Sequence, residues 1–467
     1  MRRYDLRCSV EIPVTIVPSS EEIKPYETYT KDLGLYGVFL KSNQPISEGT
    51  WAKLIMKLPR GSFETKGTVL RKEASGIAIR FKKPDAETKA RIWDIIRNRI
   101  PSNFCPFCGA INLNGATHCQ YCGSILDFHS SSFLQLYEKQ IYDVKFKELF
   151  STISIFKEKC RELEESLEFH SQEEMVSELG HYIYKIAHIC REIEDLGICD
   201  EQSLQTLKKK VMEETEEVFQ KSYLINYARK WPKGYPGDYR MLELVYRNTP
   251  VSTGIGRILD IIFLRATLAK AVRGRLKLLT EILRNEFMGR KSPKVLNIAC
   301  GSSRELMDLV KEISASQAQI TCIDFDEEAL DFSSQRLAFT PIRDNVIFRK
   351  YNAVRMVNHK RVLTDFGPQD VIYSTGLFDY LTDDLLVKLL NSLYNLLNPG
   401  GKLILAFKDA NRYDTGVYHW IVNWSAFFQR TPYDISMLFE KAMIPRQNVL
   451  TMREPSGVII FYVVERT

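Results

Sequence analysis

The feature that most limits the fold is a regular alternation of strand-like and helix-like segments in the last part of the chain. Apolar runs such as KVLNIA, QITCID and DVIYSTG are followed by the helical patterns SSRELMDLVKEI, DEEALDFSSQRL and DDLLVKLLNSLYNLL, and GGKLILAF adds a further strand. This alternation implies right-handed crossovers and therefore a doubly wound, mostly parallel sheet with both faces covered. The final NVLTMREPSGVIIFYVVE predicts two strands joined by a Pro-Ser-Gly turn, and hence a terminal antiparallel hairpin.

The first of these strands runs into a tight turn, in the stretch KVLNIACGSSREL. A dinucleotide places its pyrophosphate at this turn and requires three glycines, the third for close packing of helix on strand. The chain offers Ala299, Gly301 and Arg304 at these positions, and a bulky arginine at the third argues against a dinucleotide. S-adenosylmethionine (SAM) has no phosphate, and Ala299 and Gly301 leave room for its methionine tail and ribose.

The end of the second strand carries an acid, Asp324 in CIDFDEEAL, in position to accept hydrogen bonds from ribose hydroxyls. These features, with the terminal hairpin, resemble the Rossmann-like class I SAM-dependent methyltransferases. The resemblance implies an adenine contact after the third strand, where this chain has Asn352, and makes Ser374 a further cofactor candidate. It also implies that the first position of the turn contributes to cofactor binding; this position is usually acidic but is Asn297 here.

A stretch rich in Gly, Pro, Tyr and Trp precedes the sheet, in YARKWPKGYPGDYRMLELVYRN, and such a composition favours a pocket over a plain helix. With LNIACGSSRE and VIYSTGLFDYL, it resembles the bacterial methyltransferases of 3-hydroxypalmitic acid methyl ester synthesis, a quorum signal, over about residues 130 to 467. The resemblance implies a small or lipid-like acceptor with a carboxylate. The acceptor-side candidates are Tyr235, Asp238, Arg240, Asp379 and Tyr380, with helix or turn capping as an equal alternative for Asp238 and Asp379.

Two other functions stay open at this point. Nucleic acid methylation would use the cysteine-rich segment as a reader, but STGLFDYL stands where an Asp/Asn-Pro-Pro-Tyr motif is expected. The sequence also lacks a basic, aromatic-interleaved stripe, so nucleic acid is not the expected partner. The other alternative is a non-catalytic receptor in which ligand binding only changes a partner interaction.

The first 100 residues contain short alternating runs, including SVEIPVTIV, TWAKLIMKL and GIAIRF, which predict a small antiparallel barrel. RRYDLR, KDLGLYGVFL and SGIAIRF resemble the PilZ domain, a bacterial receptor module for cyclic di-GMP. The resemblance implies a ligand held by an arginine arm and a turn, with Gly34 standing where the family has Ser. The residues implied are Arg2, Arg3, Arg7, Asp32, Gly34 and Gly37.

Two Cys-x-x-Cys pairs, each followed by glycine, lie in CPFCGAINLNGATHCQYCGS. Four thiolates at this spacing form the closed tetrahedral shell that structural zinc prefers, with no position open for water. The segment resembles a zinc ribbon, and a redox role for the paired cysteines is disfavoured. The predicted ligands are Cys105, Cys108, Cys119 and Cys122.

The composition completes the predicted organisation. A chain of 467 residues exceeds one core, and 45% hydrophobic with 26% charged residues is typical of a globular protein. We expect a multidomain α+β and α/β protein with a barrel (1–100), a zinc ribbon (101–126), a helical region (127–240) and a methyltransferase domain (241–467). No segment resembles a signal peptide or a transmembrane helix, which predicts a cytoplasmic protein.

Overall fold

The structure is a computed structural model that describes residues 6–19, 23–58, 61–105, 107–128, 130 and 132–467. The chain divides into two compact units. The first contains Met1–Ser166, Ser177–Glu217 and Thr415–Ile421, and the second contains Leu167–Val176, Val218–Asp414 and Val422–Thr467.

A closed antiparallel barrel begins the first unit. Its ring follows the order β3-β2-β5-β6-β7-β4 and closes through a β3–β4 pairing, while β1 adds to β3. In β5, alternate side chains are buried, as the two-residue period of a strand requires. The strands are β1 (Arg7–Ser9), β2 (Pro13–Pro18), β3 (Tyr26–Gly34), β4 (Gly37–Leu40), β5 (Trp51–Leu58), β6 (Gly61–Glu73) and β7 (Gly76–Phe81).

The helix α1 (Ala86–Arg97) follows the barrel, and Asp85 caps it by accepting the Thr88 N–H at 2.7 Å. Trp93 of α1 stacks on Phe133 with ring centroids 4.7 Å apart, in a core that also includes two of the paired cysteines. Long amphipathic helices follow, as the sequence predicts: α2 (Phe133–Glu165), α3 (Gln172–Leu196) and α4 (Glu201–Phe219).

Helices open the main part of the second unit. They are α5 (Tyr223–Lys230), α6 (Tyr239–Arg247), α7 (Gly254–Arg265) and α8 (Thr267–Met288). The carboxylate of Asp260, on α7, accepts hydrogen bonds from the Ser222 hydroxyl at 2.6 Å and from the Ser252 N–H at 2.8 Å. This buried acid therefore ties the start of α5 to the loop before α7.

The sheet of the second unit has the order β10-β9-β8-β11-β12-β14-β13. Its first five strands are parallel, and β14 runs antiparallel to both β12 and β13. The strands are β8 (Lys294–Ile298), β9 (Gln319–Asp324), β10 (Val346–Lys350), β11 (Gln369–Ser374), β12 (Leu397–Lys408), β13 (Val449–Arg453) and β14 (Ile459–Glu465).

The remaining helices connect these strands: α9 (Arg304–Asp308), α10 (Val310–Ser316), α11 (Glu327–Leu337), α12 (His359–Phe366), α13 (Asp383–Leu396) and α14 (Pro432–Lys441). The predicted fold class is confirmed, with the barrel, the cysteine cluster, the helical region and the mostly parallel sheet with its terminal hairpin. The strand order reverses between β8 and β11, and open α/β sheets bind ligands at such a point, beyond the carboxyl ends of the strands. Among the described residues, we find no helix with the length and apolarity needed to span a membrane.

Candidate functional site

The turn between β8 and α9 is tight, because three of its residues have left-handed backbone. Ala299, Gly301 and Ser303 have φ of 54°, 53° and 45°. The Gly301 N–H donates to Oδ2 of Asp324 at 2.9 Å, and the Asp326 N–H donates to Oδ1 at 3.0 Å. These two hydrogen bonds join the turn to the end of β9, at the carboxyl edge of the sheet.

Asp324 is the last residue of β9 and is only 6% exposed. Burial raises the pKa of this carboxyl, whereas the N–H groups of Asp326 and Gly301 lower it. Each carboxylate oxygen has a second lone pair beyond the one that its backbone partner uses. The pair of oxygens therefore fits two neighbouring hydroxyls, as on the ribose of SAM.

Asn297 lies in a buried polar network at the same edge. Its Nδ2 donates to Oε1 of Glu305 at 3.1 Å, and the Tyr373 hydroxyl donates to the same oxygen at 2.9 Å. Asn297 and Tyr373 are direct neighbours in the β8–β11 pairing. Burial raises the pKa of Glu305. Sequence reasoning missed Glu305, although the lack of an acid at position 297 is a signal to look for one nearby.

The two other cofactor candidates lie at the ends of β10 and β11. Asn352 is exposed after β10, and its Oδ1 accepts the Val354 N–H at 2.9 Å, which leaves the amide nitrogen for a ligand. Ser374 is the last residue of β11, and its buried hydroxyl has no hydrogen-bond partner among the described residues. An unsatisfied buried hydroxyl is unfavourable, so a ligand that bonds to it removes a penalty.

Tyr235 and Arg240 lie beside the start of α11. The Tyr235 hydroxyl donates to Oδ2 of Asp326 at 3.2 Å, and burial raises the pKa of this phenol, with Asp326 adding to the effect. Arg240 donates to Oε2 of Glu328 at 2.9 Å. Both side chains therefore lie near Asp324, the predicted ribose-binding acid.

Asp238 caps a helix, which is the alternative that its sequence position left open. Its Oδ1 accepts the Met241 N–H at 3.0 Å as the N-cap of α6, and its Oδ2 accepts the Tyr227 hydroxyl at 3.1 Å. This carboxylate thus has partners on both oxygens. It holds the start of α6 in place.

Asp379 and Tyr380 lie in a short helical turn after β11. Asp379 forms an ion pair with the buried Lys408, the last residue of β12, whose Nζ also lies 3.9 Å from the centre of the Phe427 ring. The Tyr380 hydroxyl donates to the Pro236 carbonyl at 3.1 Å, so Tyr380 meets the segment that contains Tyr235. Burial lowers the pKa of Lys408. Sequence reasoning missed this residue because it lies at the end of an apolar strand.

The rim of the barrel brings together part of the predicted cyclic di-GMP site. Nη1 of Arg7 lies 3.1 Å from Oδ1 of Asp32, and both side chains are partly exposed. Arg7 pairs with Gly34 across β1 and β3, and Gly34 pairs with Gly37 across β3 and β4. The four residues therefore lie close together on one part of the barrel.

Gly37 is packed too closely for any side chain. An added Cβ would lie 2.7 Å from the Ile79 carbonyl oxygen and 3.7 Å from Nη2 of Arg7. The close approach of the Ile79 carbonyl thus requires glycine at this position, beside the Arg7 guanidinium. Arg2 and Arg3, the other predicted ligands, lie outside the described residues.

The four paired cysteines come together in space. Their sulfur atoms all lie within 4.8 Å of one another, and the Cys105–Cys122 and Cys108–Cys119 pairs are 3.5 Å apart. A tetrahedral zinc site with Zn–S bonds of about 2.3 Å has sulfur–sulfur distances of about 3.8 Å. The cluster is therefore compatible with zinc, with four sulfur ligands and no vacant position.

Comparison with known families matches two parts of the chain. The profile described as "PilZ domain" matches residues 1–98, which contain the barrel. The profile described as "Methyltransferase domain" matches residues 296–403, from β8 into β12. No curated protein matches the chain significantly.

Several solved structures are similar to parts of the chain. A possible exported protein from Bordetella parapertussis is 15% identical, with 64% of this chain and 98% of that chain covered and a TM-score of 0.41. An O-methyltransferase family protein from Burkholderia thailandensis is 15% identical over 44% and 62% of the chains, with a TM-score of 0.33. Magnesium protoporphyrin IX methyltransferase from Synechocystis, with bound SAM, is 12% identical over 43% and 84%, with a TM-score of 0.32. The chain therefore carries a methyltransferase domain within residues 296–403 and a PilZ domain within residues 1–98.

Proposed function

We propose that this methyltransferase responds to cyclic di-GMP and methylates a small or lipid-like acceptor, such as the carboxylate of a hydroxy fatty acid. One observation carries the cofactor part of the proposal. The buried Asp324 carboxylate is held by the N–H groups of Gly301 and Asp326, at the point where the strand order reverses, with lone pairs left for a ribose.

The residues proposed to contact SAM lie at this edge. Asp324 accepts from the ribose hydroxyls, Asn352 bonds the adenine through its amide, and the other residues border the methionine tail. The full set is Asn297, Ala299, Gly301, Asp324, Asn352 and Ser374. Asn297 acts through Glu305, to which it donates a hydrogen bond, so the pair places a carboxyl group near the position of the usual acid of the turn.

Bound SAM supplies a methyl group on a positively charged sulfur. The chain must align the acceptor with that methyl group and exclude water. Asp238 and Asp379 are engaged by Tyr227 and Lys408, so we assign them positioning roles. Tyr235 and Tyr380 keep their protons at neutral pH, since burial raises both pKa values, and these protons are donated to Asp326 and to the Pro236 carbonyl.

The acceptor side of the site has an aromatic lining that suits an acyl chain. Tyr380 packs against Phe427 with ring centroids 5.0 Å apart, and Trp424 lies 6.1 Å from Phe427. The indole N–H of Trp231, four residues before Tyr235, is buried without a partner among the described residues, and we propose it as a donor for a polar group such as an acceptor hydroxyl. This lining, together with the sequence resemblance, supports a hydroxy fatty acid as the acceptor.

The regulatory part of the proposal depends on the barrel rim. Arginine binds phosphate oxygens bidentately and stacks on guanine, which lysine does poorly. Arg7 supplies one such group, and we propose that Arg2 and Arg3 supply others. Asp32 accepts from a guanine edge, while Gly34 and Gly37 leave the rim open for close approach.

We also propose that the cysteine cluster binds zinc and that the zinc is structural. Four thiolate ligands complete a tetrahedral shell, so no position remains for water or substrate. Cys105 and Cys119 belong to the buried core of the first unit. Loss of the metal would therefore loosen this segment without a direct effect on the cofactor site.

The test is a methyl-transfer assay with labelled SAM and bacterial lipid extracts, with and without cyclic di-GMP. We expect labelled, base-hydrolysable lipid esters, in an amount that changes when cyclic di-GMP is added. Arg7→Ala should weaken the response to cyclic di-GMP while leaving basal transfer intact. The proposed acceptor would be refuted if the methyl group were transferred only to nucleic acid. It would also be refuted if protein that binds SAM transferred no methyl group to any lipid extract.

A further inference from the structure

A buried arginine, Arg275, lies in α8 and is not among the residues assigned to the cofactor or to the acceptor. Its side chain is buried, and the residue is only 6% exposed. Nη1 donates to the Thr375 carbonyl at 2.7 Å, and Nη2 lies 3.4 Å from the Tyr246 hydroxyl. No carboxylate of the residues that the structure describes lies within 4.0 Å of this guanidinium. A buried cation without a counter-ion is unfavourable.

Among the described residues, no charged group is in direct contact with the Arg275 guanidinium. The guanidinium is close enough to act electrostatically on Glu305, Tyr380 and Lys408. Glu305 already accepts hydrogen bonds from Asn297 and Tyr373. Lys408 is itself a cation, and Tyr380 is a neutral phenol. The positive charge of Arg275 therefore lacks a direct partner.

The position of Arg275 links it to the methyltransferase site. Its partner Thr375 directly follows β11, the strand beside β8, so the guanidinium lies at the carboxyl edge that also holds the cofactor turn. Ser374, one residue earlier, has a buried hydroxyl without a partner among the described residues. Gly376, one residue later, also lies beside the guanidinium, since an added Cβ would lie 3.7 Å from Nη1.

We propose that Arg275 is a carboxylate-binding residue of the methyltransferase site. A guanidinium has five N–H donors in a fork that matches a carboxylate, and two of its nitrogens already hold it in place. The inference rests on the proposed function, because two carboxylates can reach this edge when the site is loaded. One is the α-carboxylate of the methionine tail of SAM, and the other is the carboxylate of the acceptor.

The first arm of the test measures binding of the cofactor product, independently of catalysis. S-adenosylhomocysteine carries the amino-acid tail, whereas 5′-methylthioadenosine lacks it. If Arg275 binds the tail, Arg275→Gln should weaken S-adenosylhomocysteine roughly 10- to 100-fold in calorimetry, the range for a charge-assisted hydrogen bond. Binding of 5′-methylthioadenosine should change little.

The second arm addresses the acceptor. Decanoate and decanol are titrated in the presence of saturating S-adenosylhomocysteine. If Arg275 binds the acceptor, Arg275→Gln should weaken decanoate by a similar factor and leave decanol and the cofactor product unchanged. Arg275→Lys keeps the charge but loses the fork, so it should give an intermediate loss for whichever carboxylate is bound.

Lys277→Gln is the matched control, because this exposed lysine lies two residues further along the same helix. It should leave every affinity unchanged, and melting curves check that each variant is folded. Equal losses for S-adenosylhomocysteine and 5′-methylthioadenosine, or unchanged binding of both carboxylate ligands, would overturn the role of Arg275. Failure of the wild-type chain to bind S-adenosylhomocysteine would instead overturn the proposed function, and the role of Arg275 with it.

Discussion

Replacing Asp324 by alanine is the most direct test of the cofactor site. Each carboxylate oxygen accepts one backbone N–H, from Gly301 or Asp326, and keeps one lone pair for a ribose hydroxyl. A hydrogen bond to a charged group contributes about 1.5–3 kcal/mol. Water that enters the vacated space restores part of the interaction, so we count one such bond rather than two. The affinity for SAM should therefore fall about tenfold or more.

The same substitution also removes the acceptor of two backbone N–H groups. A buried donor left without a partner costs about 1–3 kcal/mol, so Asp324→Ala should lower the melting temperature as well. Asp324→Asn separates the two effects. Its amide oxygen still serves one of the two N–H groups, while the negative charge is lost. We expect this variant to be more stable than Asp324→Ala and still to bind the cofactor weakly.

Calorimetry with S-adenosylhomocysteine, at a temperature where every variant is folded, measures the effect. Asp331→Asn is the control, because this acid is exposed on α11 and should leave the affinity unchanged. If folded Asp324→Ala binds with wild-type affinity, the ribose lies elsewhere and the assignment of β9 as the ribose strand is wrong.

Three further predictions concern the metal, the second messenger and pH. Purified protein should contain zinc, and a chelator should loosen residues 101–126. Most of the heat of SAM binding, measured by calorimetry, should remain after chelation. Purified protein without zinc would contradict this prediction. Cyclic di-GMP should bind with micromolar affinity, more weakly to Arg7→Ala and more tightly to Gly34→Ser, whose hydroxyl adds a hydrogen bond worth about 0.5–1.5 kcal/mol. If saturating cyclic di-GMP gives no heat of binding and no shift in melting temperature, the barrel does not bind this ligand and serves only for protein contacts. The rate of methyl transfer to a carboxylate should not rise between about pH 6 and pH 9, because the acceptor is already ionised and burial raises the pKa of Tyr235 and Tyr380; a rising limb near neutral pH would reveal a general base.

The fold could be predicted from the sequence because its local signals agree with one another. The apolar runs of the last part of the chain fit buried parallel strands, and a hairpin signal ends the series. The two Cys-x-x-Cys pairs could be recognised from spacing alone, and the structure brings their sulfur atoms together. Asp324 could be placed at a strand end because it follows the apolar run QITCI.

Other parts of the site could not be predicted, because burial decides their role. Glu305, Lys408 and Arg275 each belong to a segment that has the pattern of an ordinary helix or strand, and only Glu305 has a sequence signal, the missing acid at position 297. Each becomes informative only when the fold removes it from water and limits its partners. Asp238 gives the opposite case, since an aspartate before a helix is a common cap and the structure places it there.

The partners of the buried acids bear on the chemistry of the acceptor. A general base needs a free lone pair directed at the acceptor and a pKa near the working pH. Both oxygens of Asp238 are engaged, and Asp379 is paired with Lys408, so these two side chains serve the structure first. The two tyrosines keep their protons, since burial raises their pKa values. A site with these groups suits an acceptor that arrives as an anion and needs no deprotonation, and a carboxylate meets that requirement at neutral pH.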